Sequence, residues 1–124
     1  EEVKRRVMLG TFVLSSEHYD AYFTKAQKIR RLIQQETKKM FQNYDFVISP
    51  TTPHTPFDIG QKRQDPTKMY LEDIFTVQAN LSGNPAISIP VDTHTNGLPI
   101  SMHIMASHFN EKNLLAFAKM FYKK

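Results

Sequence analysis

The chain has 124 residues, the length of one domain or of a piece of a larger one. It contains no cysteine, which excludes disulfide bonds, a thiolate nucleophile and cysteine-ligated zinc. Its formal net charge is +4, and the excess lies in residues 1–44, which hold nine Lys or Arg against five Asp or Glu. The N-terminus lacks the apolar segment of a signal peptide, and no apolar run is long enough to cross a membrane. We therefore expect a cytoplasmic protein with no membrane partner.

The first third of the chain predicts two helices. The positions that suggest a short first helix are Val3, Val7, Gly10, Phe12 and Leu14. Gly10 costs that helix about 1 kcal/mol relative to alanine unless close packing needs it. Ser15 and Ser16 are predicted N-caps of a long amphipathic helix that ends near Asn43-Tyr44. Its apolar face has spacings of three and four and consists of Tyr22, Ala26, Ile29, Ile33, Thr37 and Met40.

A strand and a long loop follow. Residues 46–49 have the composition of a buried strand. Pro50, Pro53 and Pro56 then begin a loop that continues through Gly60 to Pro66. Loops this long in compact domains are usually functional or disordered.

The second half predicts a helix, a hairpin and a last helix. The helix runs from Thr67 to Gly83, with Asp73 off its apolar face. Residues 86–89 and 100–105 predict two antiparallel strands around a turn at Asn96-Gly97, the first ending early at Pro90. Asn110 is the predicted cap of a final helix whose apolar stripe is Leu114, Phe117, Ala118 and Phe121. The predicted order is α-α-β-α-β-β-α, an α/β pattern.

Residue patterns alone give little sign of catalysis. The segment Leu81-Ser82-Gly83 lacks the first glycine of the Gly-x-Ser-x-Gly nucleophile turn and sits at a helix end. The five histidines form no close cluster with carboxylates, and the four glycines are scattered singly, so neither a metal site nor a phosphate loop is predicted. We expect no catalytic residue, metal ligand or cofactor in this chain.

Two charged residues are candidates for ligand binding. Arg6 falls on a helix expected to be largely buried, and Asp73 follows the long proline-rich loop. A buried charge needs a partner, so each residue could make a structural salt bridge. If both converge in one pocket, they suit an amino acid, with the guanidinium on its α-carboxylate and the carboxylate on its α-ammonium group. The sequence leaves both alternatives open.

Several segments resemble the amidase signature family, and within it the glutamine-hydrolysing subunits of tRNA-dependent amidotransferases. The amidases in general share residues 80–90 and 97–99, whereas Val3-Lys4-Arg5-Arg6 and Asp65-Pro66-Thr67-Lys68-Met69-Tyr70 are typical of the amidotransferase subunits. Other matching segments are residues 19–22, 25–28, 49–53 and 73–74. The resemblance covers essentially the whole chain. It implies one unit, residues 1–124, that forms the C-terminal portion of an amidase signature α/β/α fold with a mixed sheet.

The resemblance also implies a function. Family members hydrolyse an amide with a Ser, cis-Ser, Lys triad, and no segment of this chain matches the triad, so the chain is expected to be inactive alone. The complete subunit would hydrolyse glutamine and supply ammonia for amidating Glu-tRNA(Gln) or Asp-tRNA(Asn), with ATP and Mg²⁺ used by a partner subunit. Implied partners are subunits B and C of the complex, together with the remainder of the chain's own subunit. Arg6 resembles the family residue that binds the α-carboxylate of glutamine, and Asp73 the residue that binds its α-amino group.

Departures from the family and two alternatives remain. The family pattern Gly-Leu-Pro-x-Gly-x-Gln becomes a segment with Ser101 for glycine and His103 for glutamine. One alternative is the same region of an amidase that acts on a hydrophobic or aryl amide. The other is a tRNA-binding module that uses the basic helix face formed by Lys25, Lys28, Arg31, Lys38 and Lys39.

Overall fold

The computed structural model describes residues 1–57 and 66–122. Five α-helices and three strands lie in these ranges. The helices are α1 (Glu2–Val13), α2 (Lys25–Met40), α3 (Pro66–Leu71), α4 (Val77–Ser82) and α5 (Glu111–Lys119), and a π-helical turn, Asp20–Thr24, leads into α2. The strands are β1 (Phe46–Pro50), β2 (Ala86–Thr93) and β3 (Pro99–Ala106). The α/β class predicted from the sequence is confirmed.

The three strands form one sheet in the order β1-β3-β2. Both described pairings are antiparallel, so this part of the chain has an antiparallel sheet where a mixed one was expected. The strand β2 also continues past Pro90 to Thr93, which corrects the early end predicted there. Proline is tolerated because β2 lies at the sheet edge, and a register shift follows between Pro90 and Asp92.

The core lies between one face of the sheet and α5. Its buried members are Ile89, Ile104, Ala106, Leu114 and Ala118. Three members of the predicted stripe on the last helix, Leu114, Phe117 and Ala118, are confirmed as meeting the sheet, and the rings of Phe46 and Phe117 stack with centroids 4.3 Å apart. The fourth, Phe121, lies beyond the end of α5 and is 38% exposed. The strand β1 is only partly buried, contrary to the prediction, because it is the other edge of the sheet and Ile48 is half exposed.

The long second helix is confirmed, and it packs against α4. Gln78 Nε2 donates to the buried Thr37 Oγ1 at 3.1 Å, and Arg30 Nε donates to the Leu81 carbonyl oxygen at 3.0 Å. The second contact satisfies a carbonyl that the end of α4 leaves without a helical partner. Arg30, which is not one of the residues of the predicted basic face, therefore links α2 to α4.

The single helix predicted from Thr67 to Gly83 is wrong in one respect: it is divided into α3 and α4. Residues 72–76 form turns, and Thr76 Oγ1 donates to the Asp73 carbonyl oxygen at 3.2 Å, a local side-chain bond of the kind that competes with helix continuation. Asp73 thus lies in a turn and not on a helix face. Gly83 ends α4 as predicted, in the left-handed conformation with φ of 81°.

The predicted side-chain caps are not formed. Ser15 Oγ donates to the Phe12 carbonyl oxygen at 2.7 Å instead of capping the next helix. Asn110 Oδ1 accepts from Asn113 Nδ2 at 2.7 Å and makes no cap bond to the backbone of α5. Both the hydroxyl and the amide group bond to other local partners.

The first helix is the main departure from the expected packing. No residue of α1 is buried, although a largely buried helix was predicted. Its exposed apolar side chains are Val3, Val7, Met8, Leu9 and Phe12. The described part of the chain covers them incompletely: the Phe12 ring lies 4.0 Å from that of His18, yet each of the five side chains is at least 46% exposed. Within residues 1–57 and 66–122, no helix has both the length and the apolar composition of a transmembrane segment.

Candidate functional site

Arg6 lies on α1 and is held by the residue one helical turn before it. Its Nε donates to Glu2 Oε1 at 2.9 Å, while the other carboxylate oxygen of Glu2 accepts from Arg5 Nη1 at 3.2 Å. The side chains remain accessible, with 66% of Arg6 and 48% of Glu2 exposed. Arg6 therefore has a salt bridge, but one within its own helix and open to solvent.

Tyr70 brings α3 to this pair. Its hydroxyl donates to Glu2 Oε1 at 3.4 Å, and the Arg6 guanidinium carbon lies 5.9 Å from the centre of its ring, within the range of a cation–π contact. These two contacts join residues that are far apart in the sequence. Arg6 is thus fixed on one edge by a carboxylate and faces an aromatic ring.

Asp73 follows Tyr70 in the turn after α3. Its backbone N–H donates to the Tyr70 carbonyl oxygen at 3.3 Å, so the two residues belong to one local turn. The Asp73 carboxylate is exposed and accepts no side-chain hydrogen bond from the described residues. The salt-bridge alternative therefore has no partner for Asp73 in this part of the chain.

Electrostatics connect the two candidate residues. The hydrogen bond from Arg6 is the main cause that lowers the pKa of Glu2 below its usual value. The pKa of Arg6 is raised, chiefly by Glu2, with smaller contributions from Tyr70 and Asp73. Tyr70 contacts both residues: its ring lies 5.9 Å from the Arg6 guanidinium carbon, and its carbonyl oxygen accepts from the Asp73 backbone N–H at 3.3 Å. The side chains of Arg6 and Asp73 are both exposed to solvent.

A second polar group lies on the sheet face opposite α5. His103, at the centre of β3, is 7% exposed and pairs in register with Ser49 on one side and Ser88 on the other. Its Nδ1 lies 3.5 Å from Ser49 Oγ, and Ser88 Oγ lies 2.7 Å from Thr51 Oγ1. Burial lowers the pKa of His103, which favours a neutral imidazole.

The remaining candidates lack catalytic geometry. Ser82 is buried, and its hydroxyl donates to the Gln78 carbonyl oxygen at 2.8 Å, so it is a helix-end residue and not an exposed nucleophile. In the ranges 1–57 and 66–122, no three His, Cys, Asp or Glu side chains are grouped closely enough to hold a metal ion. His54 Nδ1 lies 3.3 Å from Glu72 Oε1, and the His54 side chain is exposed.

Comparison with known proteins shows which family the chain belongs to. A family model described as Amidase matches residues 1–115. The chain belongs to the amidase family. It is 48% identical over all 124 residues to the second A subunit of the glutamyl-tRNA(Gln) amidotransferase of Clostridium acetobutylicum, of which it covers 26%. It is 52% identical over 118 residues, or 95% of the chain, to the A subunit of the glutamyl-tRNA(Gln) amidotransferase of Brevibacillus brevis, of which it covers 24%.

Solved structures agree with this membership. The crystal structure of the glutamyl-tRNA(Gln) amidotransferase A subunit from Thermotoga maritima matches 91% of the chain with a TM-score of 0.74 and 45% identity, and the match spans 25% of that structure. A bacterial aryl acylamidase of the amidase signature family shares the fold at 20% identity, with a TM-score of 0.70, over 98% of the chain and 26% of that protein. The chain therefore spans about a quarter of the length of its amidase relatives.

Sequence reasoning singled out Arg6 and Asp73 but missed Glu2 and Tyr70. Glu2 precedes Arg6 by four residues, a spacing that puts both on one helix face and could have been recognised as an ion pair. Tyr70 carried no such signal, because its contact with Glu2 joins residues 68 positions apart.

Proposed function

We propose that this chain is the C-terminal part of the glutaminase subunit of a tRNA-dependent amidotransferase, and that it forms one wall of the glutamine pocket. Arg6 would bind the α-carboxylate of glutamine and Asp73 its α-ammonium group. The complete subunit would hydrolyse the side-chain amide and pass ammonia to a partner subunit that amidates Glu-tRNA(Gln) or Asp-tRNA(Asn). ATP and Mg²⁺ would act on that partner subunit.

The observation that supports the proposal is that one residue, Tyr70, contacts both Arg6, an accessible guanidinium, and Asp73, an accessible carboxylate. Arg6 makes its side-chain bond through Nε, so its two terminal nitrogens are not needed by Glu2. A guanidinium binds a carboxylate through two parallel N–H groups, and an ammonium group pairs well with a carboxylate acceptor. The free α-amino acid end of glutamine has these two charges on one carbon atom.

The exposed apolar face of α1 supports the assignment to a larger subunit. Contiguous exposed apolar surface on a soluble protein usually marks a contact with other protein. This chain spans only about a quarter of the length of its relatives, so most of each relative lies outside the region that it matches. We expect the remainder of the subunit to cover the α1 face and to supply the Ser, cis-Ser, Lys triad, which leaves the isolated chain inactive.

The test is an Arg6→Ala substitution in the complete subunit within its complex with the partner subunits. Loss of a charge-assisted two-point contact should raise the KM for glutamine about 10- to 100-fold. Amidation driven by added ammonium salt should remain near the unmodified rate, because ammonia bypasses the glutamine pocket. Unchanged glutamine use would show that Arg6 is not a substrate contact.

Two further measurements separate the alternatives. Preference for an aryl or hydrophobic amide over glutamine in a substrate panel would assign the chain to another amidase. Salt-sensitive binding of tRNA by this chain alone would favour the tRNA-binding module, since phosphate contacts weaken steeply as ionic strength rises. The amidotransferase assignment predicts neither result.

A further inference from the structure

The Glu2 carboxylate occupies a central position in the Arg6 site. Its Oε1 accepts from Arg6 Nε at 2.9 Å and from the Tyr70 hydroxyl at 3.4 Å, and its Oε2 accepts from Arg5 Nη1 at 3.2 Å. One carboxylate thus contacts two arginines of α1 and the tyrosine that precedes the Asp73 turn. Another exposed i,i+3 pair, Glu36 with Lys39 at 2.7 Å on α2, has no such third contact among the described residues.

The Glu2 contact selects which edge of the guanidinium faces outward. Arginine presents N–H groups along two kinds of edge, one that includes Nε and one formed by the two terminal nitrogens. Because Glu2 takes Nε, the edge left for an incoming carboxylate is the one with both terminal nitrogens. The Tyr70 ring, 5.9 Å from the guanidinium carbon, limits rotation of that group on one face.

The same carboxylate also connects the two charged ends of the site. Tyr70 bonds to Glu2 through its hydroxyl and to Asp73 through its backbone carbonyl oxygen, at 3.3 Å from the Asp73 nitrogen. The distance between Arg6 and Asp73 therefore depends on a chain of contacts that passes through Glu2 and Tyr70. Free glutamine carries its carboxylate and ammonium on one carbon, so the distance between the two protein charges affects how well it fits.

We infer that Glu2 is a positioning residue for the amino-acid end of the substrate: it aims the terminal nitrogens of Arg6 and, through Tyr70, sets their separation from Asp73. This inference rests on the proposed glutamine pocket. It assigns Glu2 no contact with the substrate. Glu2 is a stationary anion beside Arg6, and an α-carboxylate would bind the guanidinium on a different edge without displacing it.

The test uses Glu2→Ala and Glu2→Gln in the complete subunit within its complex. The alanine variant should raise the KM for glutamine about 5- to 20-fold with little change in kcat, because orientation and not chemistry is lost. The glutamine variant keeps an amide oxygen that can accept from Arg6 Nε, so its KM should lie between those of the alanine variant and the unmodified enzyme. Glu36→Ala removes a similar exposed pair on α2 and should leave the KM unchanged.

A second readout distinguishes positioning from general damage. 4-Aminobutanamide is glutamine without its α-carboxylate, so Arg6 has nothing to bind on it. Its kcat/KM should be the same in the Glu2→Ala variant and the unmodified enzyme, whereas that of glutamine falls. An equal fall for both compounds, an unchanged KM for glutamine, or a lower KM would overturn the inference. Arg6→Ala, measured in parallel, keeps the two claims separate: if it alters glutamine use and the Glu2 variants do not, only the role of Glu2 fails.

Discussion

Gly83→Ala should destabilise the chain, because Gly83 is the left-handed residue that ends α4. Its φ is 81°, and an alanine side chain there costs about 1–2 kcal/mol through contact with the neighbouring carbonyl oxygen. The new Cβ would also lie 3.4 Å from Nε2 of His108, which is 3.0 Å from the Ser82 carbonyl oxygen. The substitution therefore strains the backbone, while its contact with the imidazole is an ordinary van der Waals contact.

The effect is measured by urea unfolding of the 124-residue chain, followed by far-ultraviolet circular dichroism. For an m-value of about 2 kcal/mol/M, a loss of about 1–2 kcal/mol lowers the midpoint by roughly 0.5–1 M. Gly10→Ala is the matched control: a Cβ at Gly10 meets nothing within 4 Å in the structure. In a helix interior, alanine is favoured over glycine by about 0.5–1 kcal/mol, so this variant should not lower the midpoint. Equal midpoints for Gly83→Ala and the unmodified chain, or equal falls for both variants, would refute the reasoning.

Two other predictions concern the sheet. Ile104→Ala should lower the free energy of unfolding by about 2–5 kcal/mol, because Ile104 is fully buried. Ile48 is its half-exposed partner across the β1–β3 pair, and Ile48→Ala should lower the free energy of unfolding by less than about 1 kcal/mol. Similar losses for the two variants in urea unfolding would contradict the described core. The lowered pKa of His103 means that the unfolded chain takes up a proton before the folded chain does, so acidification through the ordinary histidine pKa of about 6.5 should reduce stability. His103→Gln should weaken that decline between about pH 7 and 5, and an unchanged pH profile for this variant would remove the assignment.

Local pattern predicted the last helix and two glycine turns correctly. Three members of the stripe on α5 meet the sheet, and Gly83 and the turn at Asn96-Gly97 punctuate the chain as expected. Pro90 failed as a strand terminator because its effect depends on whether the strand is central or at an edge, which the sequence does not state. The burial of α1 failed for a related reason: its apolar spacing shows that a surface needs cover, and not that these 124 residues supply it.

Some residues of the candidate site could be predicted from the sequence, and others could not. The sequence singles out Arg6 and Asp73 as charged candidates, and the resemblance to a family implies their roles. Only the fold shows that Tyr70 contacts both. The ion pair of Glu2 with Arg6 could have been predicted, because a spacing of four residues puts both on one face of a helix. Tyr70 could not, because it reaches the pair through contacts between distant segments. Asp73 was also expected on a helix face, but the side chain of Thr76 bonds back to its carbonyl oxygen and residues 72–76 form a turn.

We propose above all that Arg6 and Asp73 bind the two charged groups on the α-carbon of glutamine. The most direct measurement is kcat/KM of the complete enzyme and its variants for three amides: glutamine, 4-aminobutanamide, which lacks the carboxylate, and glutaramate, which lacks the ammonium group. We expect the Arg6→Ala enzyme to lose the preference for glutamine over 4-aminobutanamide but to keep the preference for glutamine over glutaramate. The Asp73→Asn enzyme should lose the preference for glutamine over glutaramate but keep the preference for glutamine over 4-aminobutanamide. If both variants lower kcat/KM for all three amides by the same factor, Arg6 and Asp73 do not recognise the substrate charges and the account is wrong.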